Sequence, residues 1–457
     1  MADLEDLYEL SPMQQGMLFH TLHAPASGVY CEQFSCTLSG ELDAAALERA
    51  WSAVAARHPV LRTAFYWEEV DKPLQAVYHS VEIPWRYDDW SGTSAGEQDR
   101  RFEEFLAADR RRGFELGAAP LLRLALFRLG SGEHRFVLTF HHLLMDGWGV
   151  PLVFSEVFAH YAAFCHGEVP HLPRPRPYRE YITWLQLQDA ALPQSFWRHE
   201  LAGFASPTPL PWDLGPGRVG TPAERDLLLA ERLSAALQRF VRDAQLTLNT
   251  VMQGAWAIAL ARSAGEDEVV FGATVAGRPA ALPGVESMIG LFINTLPVRV
   301  TVEPGAELTG WLRRLQERHA SARRFEHTPL VDIQGWSDVP RGLPLFESLL
   351  VFENFPVDSS SEAVRSDGLR VGDLKSIEIT NYPLTLQVIP RGLVLLRLSY
   401  DSGRFSTAAV TGLLEQLETL LTAMAERPAA RLRELPILSP GARHQLLREW
   451  NSEEHFT

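Results

Sequence analysis

The chain has 457 residues, 46% of them hydrophobic, a length that exceeds one hydrophobic core and predicts two lobes or domains. Its 42 Lys and Arg against 57 Asp and Glu give a formal net charge of −15, and this diffuse acidic balance argues against nucleic-acid binding, which needs concentrated basic residues. The sequence has no apolar run near the roughly 20 residues that span a bilayer, and its acidic first residues lack the basic start of a secretion signal.

Helices and strands are mixed in the first half of the chain. Asp43 is placed to cap a helix that should end before Pro59, because the residue before a proline avoids helical angles. Residues 121–129 and 136–140 are predicted strands separated by a glycine-rich turn, and residues 150–163 return to helical spacing. This half is therefore expected to contain a sheet packed by helices.

Two irregular segments follow. Prolines alternate with other residues over 167–177 and predict an extended connector, whereas residues 207–222, rich in Pro and Gly, predict a surface loop. We accordingly assign residues 1–176 to an N-terminal lobe and residues 177–440 to a C-terminal lobe.

The second half has the same mixed character. Thr250 is predicted to cap a helix, residues 269–275, 292–300 and 393–400 are predicted strands, and residues 408–424 are predicted to form a long amphipathic helix. Both lobes are therefore expected to be of the α/β class.

The three cysteines are Cys31, Cys36 and Cys165. Such a sparse, odd set indicates reduced thiols in a cytoplasmic protein. The alternative, a metal pair of Cys31 and Cys36, is disfavoured because no second pair of ligands follows it. We therefore expect no metal site.

The most informative segment is FHHLLMDGW, residues 140–148. A predicted strand delivers His141 and His142 to a turn, and neighbouring side chains on a strand point to opposite faces, so one histidine can serve a cleft while the other packs inside. An imidazole suits proton transfer because its unperturbed pKa is about 6.5. Asp146 could orient the ring of His142 or hold the turn by pairing with a distant cation. Gly147 lets the backbone approach a substrate closely.

A structural interpretation of the same segment also exists. A histidine at a strand end is often only a satisfied polar residue, and Asp-Gly is an ordinary turn pair. The complete array, on a buried strand and before a helix, favours chemistry instead. No serine nucleophile elbow, phosphate-binding loop or dinucleotide fingerprint competes with it.

The array matches the HHxxxDG motif of condensation domains of non-ribosomal peptide synthetases. Other segments resemble further motifs of that family in the same order and cover nearly the whole chain: residues 10–20, 57–65, 178–184, 289–295 and 327–330. The closing Glu449-Trp450-Asn451 resembles the linker toward an adenylation domain. We therefore interpret residues 441–457 as the start of that linker and expect a cut within a longer polypeptide.

The resemblance implies two chloramphenicol acetyltransferase-like lobes, each an α/β sandwich, in a V-shaped pseudo-dimer with an active-site tunnel between them. A donor acyl or peptidyl thioester and an acceptor aminoacyl thioester would arrive on the phosphopantetheine arms of upstream and downstream carrier proteins. The acceptor amine would attack the donor carbonyl. The domain itself would bind no cofactor, and its partners would be the two carriers and an adjacent adenylation domain in the cytoplasm, with neither nucleic acid nor membrane.

The resemblance also implies roles for the residues of the array. His142 is the active-site histidine, acting either as general base or as a group that positions the amine. Gly147 borders the reacting thioester, and its amide helps to stabilise a developing oxyanion. Asp146 is structural and is expected to pair with Arg62 in bidentate geometry. His141 is structural as well.

Further positions carry alternatives. Gly277-Arg278-Pro279 resembles part of the floor loop that bridges the tunnel in this family, in a C-terminal lobe that also supplies a latch. Asn294 and Thr295 are expected either to face the cleft or to make the hydrogen bonds that end a strand. Trp148 lies near the acceptor channel or is a core aromatic. Gly149 stands where many relatives have Ser, which limits any inference about substrate.

Sister activities on this fold are disfavoured. An epimerisation domain would carry Glu-Gly-His-Gly-Arg where residues 274–279 read TVAGRP, a heterocyclisation domain would have paired aspartates, and a dual domain would have a second histidine motif near its N-terminus. A stand-alone acyltransferase using coenzyme A and a non-catalytic docking platform for carriers remain alternatives. The substrates stay open, with a weak preference for an L-configured donor.

Overall fold

A computed structural model describes residues 3–24, 28–189, 191–215, 220–353, 365–366, 368–438, 441 and 444. The linker expected at 441–457 therefore lies almost entirely outside the described residues. In chain order the strands are β1 (Leu4–Glu9), β2 (Cys31–Ser39), β3 (Thr63–Tyr66), β4 (Leu74–Tyr78), β5 (Trp85–Asp89), β6 (Leu122–Gly130), β7 (Glu133–His141), β8 (Pro222–Leu228), β9 (Glu268–Val275), β10 (Asn294–Thr301), β11 (Ser348–Phe352), β12 (Arg365–Ser366), β13 (Leu369–Ile377), β14 (Leu384–Arg391) and β15 (Leu393–Asp401).

The α-helices alternate with these strands in both halves of the chain. They are α1 (Pro12–His23), α2 (Ala44–Arg57), α3 (Ala95–Arg112), α4 (Gly149–Cys165), α5 (Arg179–Gln186), α6 (Ala191–Glu200), α7 (Glu231–Ala244), α8 (Leu248–Ala264), α9 (Leu308–Ala322), α10 (Leu330–Trp336) and α11 (Thr407–Glu426). No helix within the described ranges is long and apolar enough to cross a bilayer.

The chain forms two compact units. Unit 1 contains the described residues up to Gln188 and those of the segments 276–293 and 355–381, and unit 2 contains the rest. Compared with the lobe boundary placed at residue 176, unit 1 also includes α5 and takes in two later segments. The reason is physical, because β13 adds a strand to its sheet and Phe292 packs in its core.

Unit 1 is built on a six-stranded sheet in the order β12-β13-β2-β7-β6-β5, with a separate three-stranded sheet β1-β4-β3. The antiparallel register of β2 and β7 places Glu32 opposite Phe140. On one face of the sheet Trp51 of α2 stacks on Phe136 of β7, with ring centroids 5.7 Å apart. On the other face α3 packs over a smaller cluster that includes Phe127. Both faces of β7 are thus covered, which explains why every residue from Phe136 to His141 is buried.

Unit 2 is built on a second six-stranded sheet, β10-β9-β11-β14-β15-β8. Its central helix is α8, which is buried on nearly all sides because its residues between Thr250 and Ala261 are small or apolar. Trp256 in that helix has no exposed surface. The mixed α/β class predicted from the sequence is confirmed in both units.

Most predicted elements are confirmed, with small shifts of their ends. The cap at Asp43 forms, with Oδ1 accepting a hydrogen bond from the Ala46 amide at 3.0 Å, and α2 ends at Arg57. The cap at Thr250 is wrong, because α8 begins at Leu248 and its cap is Thr247, whose hydroxyl accepts from the Thr250 amide. The strand predicted from residue 292 begins at Asn294.

Cys31 and Cys36 lie buried on β2. Burial raises the pKa of each thiol to about 12, so neither is a ready thiolate ligand. Both therefore serve the sheet as small apolar side chains.

The cap of α2 provides a test of local stability. Asp43→Ala removes the acceptor of the Ala46 amide and should lower the free energy of unfolding by about 1 kcal/mol. Asp43→Asn keeps an acceptor oxygen and should change it by only about 0.3 kcal/mol. Urea unfolding of the three proteins compares these values, and equal losses in both variants would contradict the capping role.

Candidate functional site

Strand β7 delivers the two histidines of the array. Its hydrogen bonding continues past the strand end, since the amide of His141 donates to the Leu121 carbonyl and that of His142 to the Tyr30 carbonyl, each at 2.9 Å. A turn begins at His142, and α4 starts at Gly149. The loop of residues 142–148, called here the HD loop, is thus anchored on the central strands of unit 1.

His141 is held inside unit 1. Its Nδ1 accepts a hydrogen bond from the Leu143 amide at 3.2 Å, its Nε2 lies 3.3 Å from the Thr21 hydroxyl, and the ring packs edge-on against Phe114. Burial, together with the charge of His142, lowers the pKa of His141 to about 3. This ring is therefore neutral, and both nitrogens have structural partners.

His142 has a different environment. Its Nδ1 is buried without a hydrogen-bond partner among the described residues, and its Nε2 lies 3.8 Å from Oε1 of Glu378, an ion-pair distance rather than a hydrogen bond. Burial opposes a charged ring, but the Glu378 and Glu32 carboxylates outweigh it and raise the pKa of His142 to about 9. At neutral pH the ring is an imidazolium.

Glu32, His142 and Glu378 form a group of three residues of metal-ligand type, and one ligand atom of each lies within 4.8 Å of the others. A divalent cation would require a neutral imidazole as ligand. Since the two carboxylates favour the imidazolium, the cluster suits a proton or an ammonium group better than a metal ion.

Asp146 fastens the HD loop. Its side chain is fully buried, and Oδ1 lies 3.2 Å from Nη2 of Arg278, whose side chain is 6% exposed. Oδ1 also accepts from the Gly149 amide at 3.2 Å, and Oδ2 accepts from the Phe292 amide at 2.9 Å. Both carboxylate oxygens are taken up by these partners. Asp146 therefore does not orient the His142 ring but fixes the backbone that follows His142.

The expected pairing of Asp146 with Arg62 is wrong. Arg62 ends a short 3-10 helix after α2, and its Nε donates to the Ala55 carbonyl. Its Nη1 donates to the Tyr78 carbonyl and pairs with Glu5 at 2.7 Å. The guanidinium therefore joins α2 to strands β1 and β4, and the cation near Asp146 comes from the segment 276–293 instead.

Other family-like segments support the HD loop from the side. Gln14 of α1 donates to the Leu143 carbonyl at 3.0 Å, and the Tyr178 hydroxyl donates to the Leu291 carbonyl at 2.5 Å. Gly290, whose carbonyl accepts from the Asp146 amide, has no room for a side chain because a Cβ would lie 2.1 Å from the Tyr178 ring. Segments of three distant motifs thus hold the HD loop and the residues Gly290 and Leu291 beside it.

The remaining predicted site residues fall in different places. Gly147 is partly buried in the turn between Asp146 and α4. Trp148 donates from Nε1 to the Glu286 carbonyl at 3.0 Å within unit 1. In unit 2 the Asn294 amide donates to the carbonyls of residues 326 and 328, and its oxygen accepts from the Thr295 amide. These are the hydrogen bonds of a strand end, so we assign neither residue to chemistry.

The sequence prediction assigns no role to three side chains that the structure places at this site. Arg278 enters the sequence prediction only as part of the segment that resembles the floor loop. Its contact with Asp146 joins residues 132 positions apart in the sequence. Glu32 and Glu378 carry a weak signal, a carboxylate between apolar or strand-forming neighbours such as Ile377 and Ile379. Only the pairing of β2 and β13 brings the two together.

Comparisons with known proteins show which family the sequence and the fold resemble. A family model described as "Condensation domain" matches residues 4–447. Linear gramicidin synthase subunits D and B of Brevibacillus parabrevis are 44% and 45% identical over 99% of the chain, which spans 9% of the length of each. Among solved structures, the first condensation domain of the calcium-dependent antibiotic synthetase, in complex with a substrate analogue, superposes with a TM-score of 0.79 at 20% identity, covering 95% of this chain and all of that one.

The buried ion pair can be tested by a double-mutant cycle. Asp146→Ala and Arg278→Ala should each lower the free energy of unfolding by about 3–5 kcal/mol, because each leaves a buried charge unpaired. The double variant should lose less than the sum, with a coupling energy of about 1–3 kcal/mol in urea unfolding. The matched cycle of Asp146 with Arg62 should be additive within about 0.5 kcal/mol, and coupling there would contradict the assignment.

The raised pKa of His142 makes stability depend on pH. The folded pKa of about 9 exceeds the ordinary value of 6.5, so the stabilisation is fully present below pH 6.5 and is lost as pH rises through 9. The stability difference between wild type and His142→Gln should therefore shrink by on the order of 3 kcal/mol between pH 6.5 and pH 9.5. Urea unfolding across this range measures it, and a constant difference would argue against a charged ring.

Proposed function

The chain belongs to the condensation-domain family, and from this premise we propose that it joins a carrier-bound acyl or peptidyl donor to a carrier-bound aminoacyl acceptor through an amide bond. Condensation domains of non-ribosomal peptide synthetases catalyse peptide bond formation. The observation that carries the proposal is the contrast between the two histidines. Both ring nitrogens of His141 have hydrogen-bond partners, whereas Nδ1 of His142 has none among the residues that the structure describes, and its Nε2 faces the carboxylate of Glu378.

The reaction requires one proton to move. The acceptor nitrogen forms a bond to the donor carbonyl carbon, the carbon–sulfur bond breaks, and the phosphopantetheine sulfur of the donor carrier leaves. The nitrogen gives up one proton and the sulfur takes one. A titratable ring whose Nδ1 has no hydrogen-bond partner among the described residues can carry that proton, and His142 fits this description.

The rest of the HD loop serves positioning in this proposal. Asp146 and Arg278 fix the backbone so that His142 keeps its place while the ring exchanges a proton. Gly147 is assigned to border the reacting thioester, with its amide available to a developing oxyanion. Arg62 is assigned to the packing of α2 and holds no part of the reacting groups.

The partners follow from the same premise. We assign an upstream donor carrier and a downstream acceptor carrier as the proteins that deliver both substrates on phosphopantetheine arms, with an adenylation domain beside them in one polypeptide. Support comes from the relatives, which are synthetase subunits about ten times as long as this chain. The cytoplasmic location expected from the sequence stays a prediction.

Amide formation with loaded carriers tests the proposal directly. Donor and acceptor carriers bearing thioesters are mixed with the domain, and the product is followed by intact mass. His142→Ala should lower the rate by a factor of about 10²–10⁴, the usual contribution of a positioned acid–base group. His199→Ala, an exposed histidine at the end of α6, is the matched control and should leave the rate unchanged.

Two outcomes would overturn this function. Normal carrier binding without amide formation by the wild type would favour a non-catalytic docking platform. An undiminished rate in His142→Ala would place the chemistry elsewhere in the domain.

A further inference from the structure

We propose that Glu32, Glu378 and His142 form the binding site for the α-ammonium group of the acceptor, and that this group binds in exchange for the proton on His142. The inference rests on the proposed function, since an amine enters this site only as a substrate of amide formation. It assigns the two carboxylates, which no motif of the sequence marks, to acceptor binding.

The sheet register brings the three side chains together. Glu32 lies opposite Phe140 in the β2–β7 pair, and directly opposed residues share one face. β13 pairs with the other edge of β2, with Ile377 opposite Gln33, so the next position, Glu378, comes opposite Glu32. The amide of His142 bonds to the Tyr30 carbonyl and extends the β2–β7 ladder by one step. Three adjacent strands therefore supply one residue each.

The distances fit a primary ammonium nitrogen. Hydrogen bonds of about 2.8–3.0 Å in tetrahedral directions reach acceptors up to about 4.9 Å apart. One acceptor atom of each of the three residues lies within 4.8 Å of the others, and Nε2 of His142 is 3.8 Å from Oε1 of Glu378. One nitrogen placed among them can hydrogen-bond to all three.

The histidine is an independent indication of a ligand. Its side chain is only 7% exposed, yet Nδ1 has no hydrogen-bond partner in the part of the chain that the structure describes, and Nε2 lies 3.8 Å from Oε1 of Glu378, beyond hydrogen-bond distance. A buried polar ring without such bonds is costly in a finished core. Glu378, at 27% exposure, leaves one side of the cluster open to an incoming group.

The charges around His142 define what the cluster attracts. Glu32 from β2 and Glu378 after β13 each place a negative charge close to the His142 ring. The neighbouring His141 is neutral, and Asp146 and Arg278 neutralise each other. The two carboxylates therefore keep a proton on His142, and an arriving ammonium supplies the same positive charge.

This exchange reconciles a charged histidine with a proton-accepting role. Binding of the ammonium drives the proton of His142 into solvent, which leaves a neutral imidazole beside the N–H of the ammonium. The ring then takes one proton from the nitrogen, the free amine attacks the thioester carbon, and the carbon–sulfur bond breaks. His142 gives this proton to the leaving sulfur and then takes the second proton that the nitrogen loses as the amide forms. The ring therefore ends as the imidazolium with which it began, and the products are the amide, the thiol and the one proton released to solvent.

The acceptor concentration at half-maximal rate tests the exchange. Amide formation is measured from pH 6.5 to 9.5 with the acceptor carrier loaded by its own adenylation domain, for wild type, Glu378→Gln, Glu378→Asp and Asp373→Asn. Asp373 lies on the same strand β13 but its carboxylate accepts from the Thr37 hydroxyl, so it is the matched control. Melting curves verify that each variant is folded.

In the wild type the half-saturating concentration should fall roughly sevenfold between pH 6.5 and 7.5, because the proton on His142 competes with the ammonium. Asp373→Asn and the charge-retaining Glu378→Asp should keep this slope. In Glu378→Gln the imidazole is already neutral near pH 7, so the concentration should change by less than about twofold.

Equal slopes in wild type and Glu378→Gln would overturn the exchange while leaving amide formation intact. Loss of wild-type activity on treatment with EDTA, together with bound metal in the folded domain, would assign the cluster to a divalent cation instead. Absence of any amide from the wild type would contradict the proposed function itself. This outcome differs from equal pH slopes and from sensitivity to EDTA, because in both of those cases the wild type forms the amide.

Discussion

A single buried carboxylate fixes the arrangement on which the site depends. A carboxylate without water must be satisfied by hydrogen bonds and a countercharge. Asp146 meets this requirement with Arg278 and with the amides of Gly149 and Phe292. The HD loop, the start of α4 and the segment 276–293 are thereby held as one body within unit 1. His142, the first residue of this loop, is held by this network on one side and by the hydrogen bond from its own amide to the Tyr30 carbonyl on the other.

The two adjacent histidines show how environment separates residues of one type. His141 lies among Phe114, Thr21 and backbone, and burial lowers its pKa to about 3. His142, one position later, faces two carboxylates that raise its pKa to about 9 despite the burial. Alternation along a strand turns one ring inward and the other toward Glu32 and Glu378. The first ring is thus a structural group and the second a titrating one.

Much of the fold and the central array could be predicted from the sequence. Local signals were reliable where one element decides the outcome, as at the Asp43 cap and in strands β9 and β15. They failed where two candidate capping residues lay within one helical turn, as at Thr247 and Thr250 before α8. The partner of Asp146 was misassigned to Arg62 because a sequence motif indicates the residue type but not the direction of a long side chain.

The residues that set the charge of His142 were out of reach for a physical reason. Glu32 and Glu378 lie 346 positions apart in the sequence. They meet only because β13, which belongs to a segment that returns to unit 1 after much of unit 2, pairs with the edge of β2. Neither carboxylate has a spacing relative to the histidines that a pattern could express. Arg278 is similar, since its contact with Asp146 depends on how the segment 276–293 returns to unit 1.

The charge state of His142 is the central claim, and NMR of the ring tests it most directly. Histidines labelled with carbon-13 at Cε1 are titrated from pH 5 to 10, and the signal of His142 is assigned by its loss in His142→Gln. The structure predicts an imidazolium with a pKa of about 9, well above the ordinary value of 6.5. A midpoint below pH 7 would mean that the two carboxylates do not govern this ring, and would contradict the account.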